Sequence, residues 1–408
     1  MEIFVQFLEG GSYPVYPPAD KVRARLQSAA ERLPLSGVLL GWDLPPALVE
    51  ACAEECARLR TDLYAWIPLL SGHGRFRPDP DWRVIGLAGQ PVGGHGELLE
   101  FTFVCPNRPA ARAALLQELE AAIATGPYQG VFLDRIRFPS PAANPARDLG
   151  CFCDDCSRAA RQEGVDLPSI QADLQQRLVT PQGRQEVVRC LLSLPYAVQT
   201  EAHVPALRDL LTFRQGSIAT LVGAAAENAR ARGLRVGLDC YSPTLSAMVG
   251  QDLAALSAHA DWTKVMTYAR AHGPASLPFE ILALADWLIA AGELEAEALK
   301  FLAAATGWPL PERREALRRG GLAPAILTEE LRRGREAGVR RLFAGIELVE
   351  VPGVSELQPA QIRADAEAAL AAAPDGIVFS WDLWHMPKDR LEDAAALYGR
   401  KPPRSSEP

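Results

Sequence analysis

The chain has 408 residues, 48% of them hydrophobic and 23% charged, with a formal net charge of −8. That length fills one large α/β barrel or two ordinary domains, and the composition is that of a globular protein. The acidic balance and the lack of any Lys or Arg run argue against nucleic-acid and anionic-membrane partners, and no apolar stretch is long enough to span a bilayer.

Met1 leads directly into IFVQFLEG with no basic and then apolar leader pattern, which points to the cytoplasm. In that reducing compartment the eight cysteines are better candidates for metal ligation than for disulfides.

In chain order, the first β-rich run is Ile3–Leu8, followed by an amphipathic helix over Asp20–Leu33. A second run, Gly37–Trp42, ends in GWDLPP and precedes a helix at Pro46–Leu59. Cys52 and Cys56 lie one turn apart on that helix and read as small buried side chains.

The third run, Asp62–Pro68, opens a long Gly-rich segment with His73 and His95, which reads as a loop able to cover a site. This segment closes with LEFTFVCPNRPAAR, where Cys105 stops at Pro106 and a helix follows over Ala110–Ala124. The fourth run is Gly130–Asp134. Residues 140–205 after it form an insertion with helical patterns and the cluster GCFCDDC.

A helix at Gln215–Arg232 leads to the fifth run, Leu234–Cys240, and then to the sixth, Trp262–Tyr268. Residues 269–338 form another insertion with a helix at Glu293–Ala305. Arg341–Ile346 and Gly376–Trp381 complete the set, with helices at Ala360–Ala372 and Lys388–Leu397. Near-continuous apolar strands alternating with helices predict a single (β/α)8 TIM barrel over residues 1–400, with long insertions after strands three, four and six. The tail, residues 401–408, is expected to be disordered. No G-x-G-x-x-G, P-loop, H-E-x-x-H or G-x-S-x-G pattern occurs, which removes the main sequence support for nucleotide-binding, zinc-protease and serine-hydrolase readings.

Cys105 and the C-x-C-x2-C of Cys151, Cys153 and Cys156 would meet on one barrel rim as a closed tetrahedral thiolate site, for which Zn²⁺ is the natural occupant and a structural role is expected. Three unconnected loop thiols and an iron–sulfur cluster are the alternatives. CPNRPAAR, YQGVFLDRIRFP and GCFCDDCSRAA, within residues 100–165, resemble family 42 β-galactosidases, which implies a structural zinc beside an active-site mouth. GLRVGLDCYSP, DWTKVMTY and GIVFSWDLW likewise resemble strands five, six and eight of glycoside hydrolase barrels. Strand four ends in Leu133-Asp134-Arg135 where the family 42 pattern has Asn-Glu, so the resemblance extends to the wider group of sugar-hydrolase barrels.

Side chains at the C-terminal ends of barrel strands carry the chemistry. Asp134, beside Arg135 and Arg137, suits a nucleophile or oxocarbenium stabiliser. Glu347, among Ile and Leu at the end of strand seven, suits a general acid/base, with Glu350 as its stand-in under a shifted register. Together they would form the carboxylate pair of a glycosidase, in either order of roles, with Asp239 and Asp382 as the main rivals to Glu347 for the second place. Trp42, Asp43, Trp66, Arg137, Asp239, Tyr241, Lys264, Tyr268, Trp381, Asp382 and His385 are the expected sugar-binding groups, since a sugar site needs polar groups for hydroxyls and aromatic faces for the ring.

The partner so implied is a carbohydrate, and association with further copies of the chain is left open. Two other readings stand beside this one. The first is a barrel that binds carbohydrate without cleaving it. The second is a lyase or isomerase using Lys264 as a Schiff-base amine, which requires that amine to be free of a carboxylate partner.

Overall fold

The computed structural model describes residues 1–10, 13, 15–94, 99–124, 126–192 and 204–398. Eight parallel strands run as β1 (Glu2–Phe7), β2 (Gly37–Leu40), β3 (Asp62–Pro68), β4 (Gly130–Asp134), β5 (Arg235–Cys240), β6 (Trp262–Met266), β7 (Leu342–Glu347) and β8 (Gly376–Ser380). Each pairs with the next, and β8 pairs back on β1, so the sheet is a closed (β/α)8 barrel.

Helices at Ala19–Ala30, Pro46–Leu59, Pro109–Ala124, Pro205–Ala231, Ala325–Glu336, Pro359–Ala371 and Lys388–Tyr398 cover the outside. The helix before β5 starts ten residues earlier than its periodicity predicts. Leu207, Leu210 and Leu211 extend its buried stripe, and Pro205 supplies a favourable first turn. The segment after β4 holds four helices between Pro145 and Leu191, and the segment after β6 holds three between Leu277 and Gly320. The 401–408 tail lies outside the described residues. No helix among those described is long and apolar enough to cross a membrane.

Inward-facing side chains follow the two-residue period of each strand. The barrel interior holds a cluster of Phe4, Leu39, Trp42, Tyr64, Trp66, Phe132, Trp262, Phe343 and Val378, of which Trp42 and Trp66 reach the C-terminal end. Rings this large fit because small residues stand beside them: a Cβ on Gly237 would come within 2.2 Å of the Trp262 indole. Two residues further along the same strands come Gln6, Asp134, Asp239 and Lys264, so the pleat that builds an apolar floor also delivers a polar tier above it. On β7 the position two residues above Phe343 is Gly345, and a Cβ there would lie 2.6 Å from Lys264 Cε.

Candidate functional site

A cavity of about 320 Å³ opens at the C-terminal end of the barrel, walled by Gln6, Glu9, Trp66, Asp134, Arg137, Asp239, Tyr268 and Trp381 among others. Asp134 ends β4, one step past the Leu133–Leu238 register pair, which sets it beside Asp239 on the neighbouring strand. Its Oδ2 accepts from Trp66 Nε1 at 2.9 Å and its Oδ1 from the Arg135 backbone N–H at 2.5 Å.

Asp239 is buried and its Oδ2 accepts from Lys264 Nζ at 2.9 Å, while Oδ1 has no hydrogen-bond partner. Burial pushes this carboxyl up to about 7, against the pull of Lys264 and with repulsion from Asp134. The Lys264 amine also donates to Gln6 Oε1 at 3.1 Å. It is therefore paired with a carboxylate, and the condition for the Schiff-base reading is not met.

Glu9 follows β1 and reaches the same cavity, 3.6 Å from Arg135 and 29% exposed at its side chain. Burial of the carboxyl group lifts it to about 7, with Arg135 opposing and Asp382 and Asp134 adding repulsion. The part that faces the cavity leaves it open to solvent and to a ligand.

Glu347 is elsewhere. It lies one pleat above Gly345, and its Oε1 accepts from the backbone N–H groups of Arg270 and Ala271, at 2.6 and 3.1 Å, in the loop after β6. It lines a separate crevice of about 10 Å³ with Thr267, Leu327 and Asp365, so Asp134 and Glu347 do not share a cavity. Burial, then Asp365, raises its carboxyl to about 8. Glu350 is exposed and lies 3.5 Å from Arg390, also away from the mouth.

The predicted sugar-binding residues divide in the same way. Trp66, Arg137, Asp239, Tyr268 and Trp381 line the cavity, with Tyr268 and Trp381 in edge contact at 5.6 Å, and Lys264 sits directly beneath. Tyr241 lines an adjoining cavity. Trp42, just past the end of β2, packs edge-on against Trp66 at 5.1 Å and lies 5.2 Å from the Arg135 guanidinium, and it is not among the residues that line the cavity.

Asp43 holds the loop after β3, accepting from the Arg75 N–H at 2.8 Å and lying 3.6 Å from His73. Asp382 is spent on the loop after β1: it accepts from the N–H groups of Leu8, Glu9 and Trp384 and from the Tyr13 hydroxyl. His385 is exposed and stacks on Tyr13 at 5.7 Å. His95 lies outside the described residues.

Glu9 and Gln6 are cavity residues that the strand-end reading passed over. Glu9-Gly10 directly follows the first apolar run, the same cue that singled out Asp134.

Cys105, Cys151, Cys153 and Cys156 are all buried, with their sulfurs within 4.8 Å of one another, and could hold a metal ion. Cys105 Sγ is 3.3 Å from Cys156 Sγ and 3.6 Å from Cys153 Sγ. N–H groups of Ile85 and Asn107 point at Cys151 and Cys156, each at 3.3 Å, the pattern that supports thiolate sulfur. Arg214, fully buried with Nε and Nη2 unpartnered, is electrostatically coupled to Cys151 and Cys156. Four thiolates around one divalent cation carry a net negative charge, and a buried guanidinium beside them fits that charge.

No protein-family model and no curated protein matches this chain. Solved structures do match. A β-galactosidase from the Antarctic haloarchaeon Halorubrum lacusprofundi superposes with a TM-score of 0.60 at 14% identity, over 98% of this chain and 58% of that one. A β-galactosidase from the psychrophilic Marinomonas ef1 gives 0.58 at 10% identity, over 98% and 59%. The PgaB (BpsB) glycoside hydrolase domain from Bordetella bronchiseptica gives 0.53 at 13% identity, over 97% and 98%. The fold is that of glycoside hydrolase barrels. This chain spans nearly all of the Bordetella domain but under two thirds of either β-galactosidase.

Proposed function

We propose that the chain is a glycoside hydrolase working at the C-terminal mouth of its barrel, with Asp134 as the carboxylate that faces the developing positive charge and Glu9 as the proton donor. The observation that carries this reading is the convergence of Glu9, Asp134 and Asp239 in one cavity with Trp66, Tyr268 and Trp381. Hydrolysis of a glycosidic bond needs one ionised and one protonated carboxyl group.

Asp134 is fixed by two N–H donors, as a group meeting an oxocarbenium ion should be. Glu9 has both the elevated carboxyl and the exposure needed to reach a leaving-group oxygen. Lys264 neutralises Asp239, so the pair of neighbouring acids carries one net negative charge rather than two. Several acids in one pocket also favour an enzyme over a carbohydrate-binding barrel without catalysis.

The four cysteines suit Zn²⁺ in a closed, structural site. Eight cysteines free of disulfides fit a reducing compartment such as the cytoplasm.

The test is a screen of nitrophenyl glycosides with the parent, Asp134→Asn and Glu9→Gln. Near-full turnover by Asp134→Asn on a substrate the parent cleaves would defeat the assignment. Elemental analysis should find about one zinc per chain, lost in Cys105→Ser.

A further inference from the structure

Next to the carboxylate cavity lies a second one of about 240 Å³, whose walls include Ser140, Tyr241 and Glu280. Phe101, Arg137 and Pro274 belong to both, so the two cavities adjoin with Arg137 at their junction. Arg137 is 6% exposed. Its guanidinium is clasped between rings, 4.3 Å from the centre of Phe103 and 4.8 Å from that of Tyr241. A guanidinium has five N–H donors. On Arg137, Nη1 reaches the Phe138 carbonyl at 3.2 Å, and no carboxylate among the described residues stands within 4.0 Å.

The acids of the two cavities have other partners. Glu9 lies with Arg135, Asp239 with Lys264 and Asp148 with Arg147. Glu280 accepts from Ser140 Oγ at 2.5 Å, Tyr241 Oη at 2.9 Å and the Ala275 N–H at 3.0 Å. Asp134 accepts from Trp66 and from backbone.

A desolvated cation with no carboxylate in direct contact is costly to keep, and Asp239 answers the Arg137 charge only from a distance. Here its plane is held by two aromatic faces and its free edge looks into space a ligand can fill. A planar carboxylate matches that edge through two parallel hydrogen bonds.

We infer that this pair of cavities takes an acidic sugar, a glycan unit bearing a carboxylate that Arg137 receives at their junction. Cleavage of that glycan rests on the glycosidase reading above; its binding does not.

Titration calorimetry tests this with oligogalacturonides and glucuronate-containing oligosaccharides, each beside its carboxyl-reduced neutral twin and a sulfated neutral oligosaccharide. At least one acidic form should bind the parent about tenfold or more tighter than its twin, the scale of a charge-assisted hydrogen-bonded pair. Arg137→Gln should erase that difference. Arg137→Lys, which keeps the charge but not the fork, should retain part of it. Equal binding of acidic and reduced forms by the parent, a difference that survives Arg137→Gln, or a preference for the sulfated sugar overturns the inference. If no glycoside is cleaved while the Arg137-dependent preference persists, the glycosidase reading fails alone. Cleavage of neutral glycosides with no preference for the acid defeats this inference alone.

Discussion

Trp262 and Lys264 stand two residues apart on β6, both buried and both pointing into the barrel, yet their surroundings are opposite. Trp262 stacks on Phe132 and Phe343 at 5.3 and 4.8 Å and meets Phe4 edge-on at 5.0 Å. Lys264 meets Gln6 and Asp239. One strand period thus supplies the floor and the mouth in turn. The floor is stabilised by ring burial, even though it leaves the Trp262 indole N–H without a partner. In the mouth Asp239 and Lys264 are buried as a pair, because an isolated ion there is far more costly than a lost contact. That cost is visible in Asp239 and Glu9, both lifted to about 7 by burial.

Cutting into the floor should have the largest effect. Trp262→Ala should cost about 3–5 kcal/mol of stability, the usual range for a buried Trp or Phe lost to Ala, read from denaturant midpoints. Asp134→Asn should leave the melting temperature nearly unchanged and cut turnover by on the order of 10³-fold, the scale of losing an electrostatic stabiliser of transition-state charge. If it instead unfolds the protein, the mouth is structural and the contrast collapses.

Glu9→Gln should lose about 10²-fold. The parent should lose activity as pH rises through about 7, where the Glu9 carboxyl gives up its proton. A pH–rate profile that stays flat to pH 9 would remove Glu9 from the donor role.

Glu347→Gln should change turnover least, because Glu347 lines a separate crevice and touches none of the reacting groups. Its effect belongs to stability against pH. Burial raises the Glu347 carboxyl from 4.5 to about 8. The native state therefore keeps a proton that the unfolded chain has already released. Stability from this group is complete below pH 4.5 and is lost as pH rises through 8. Thermal melts between pH 5 and 9 should fall more steeply for the parent than for Glu347→Gln.

The barrel was legible because its strands are runs of apolar residues between helical stripes. Asp62–Pro68 and Gly130–Asp134 agree at both ends with the sequence reading, and the other six strands agree within two residues. The cysteine site was legible from spacing plus a strand end, since Cys105 and the later knuckle had to share a rim.

The carboxylate that shares a cavity with Asp134 was not. Sequence marks an acid after an apolar run, but not how many pleats above the floor it sits, and on β7 the tier facing Lys264 is Gly345. Nor does it reveal which strand-end acids are spent on backbone. Asp382 and Asp43 each tie down a neighbouring loop, a contact set by residues hundreds or dozens of positions away in the chain.

Cys105 is two residues from Phe103, the ring that clasps one face of Arg137. Its backbone is fixed as well, with Val104 N–H donating to Leu70 and Cys105 N–H to Trp82. A chelator or an oxidant that opened the sulfur knot would therefore loosen a wall beside Arg137 while leaving every carboxylate in place. Such agents should act on this protein as inhibitors at a distance, weakening its grip on ligand before its chemistry.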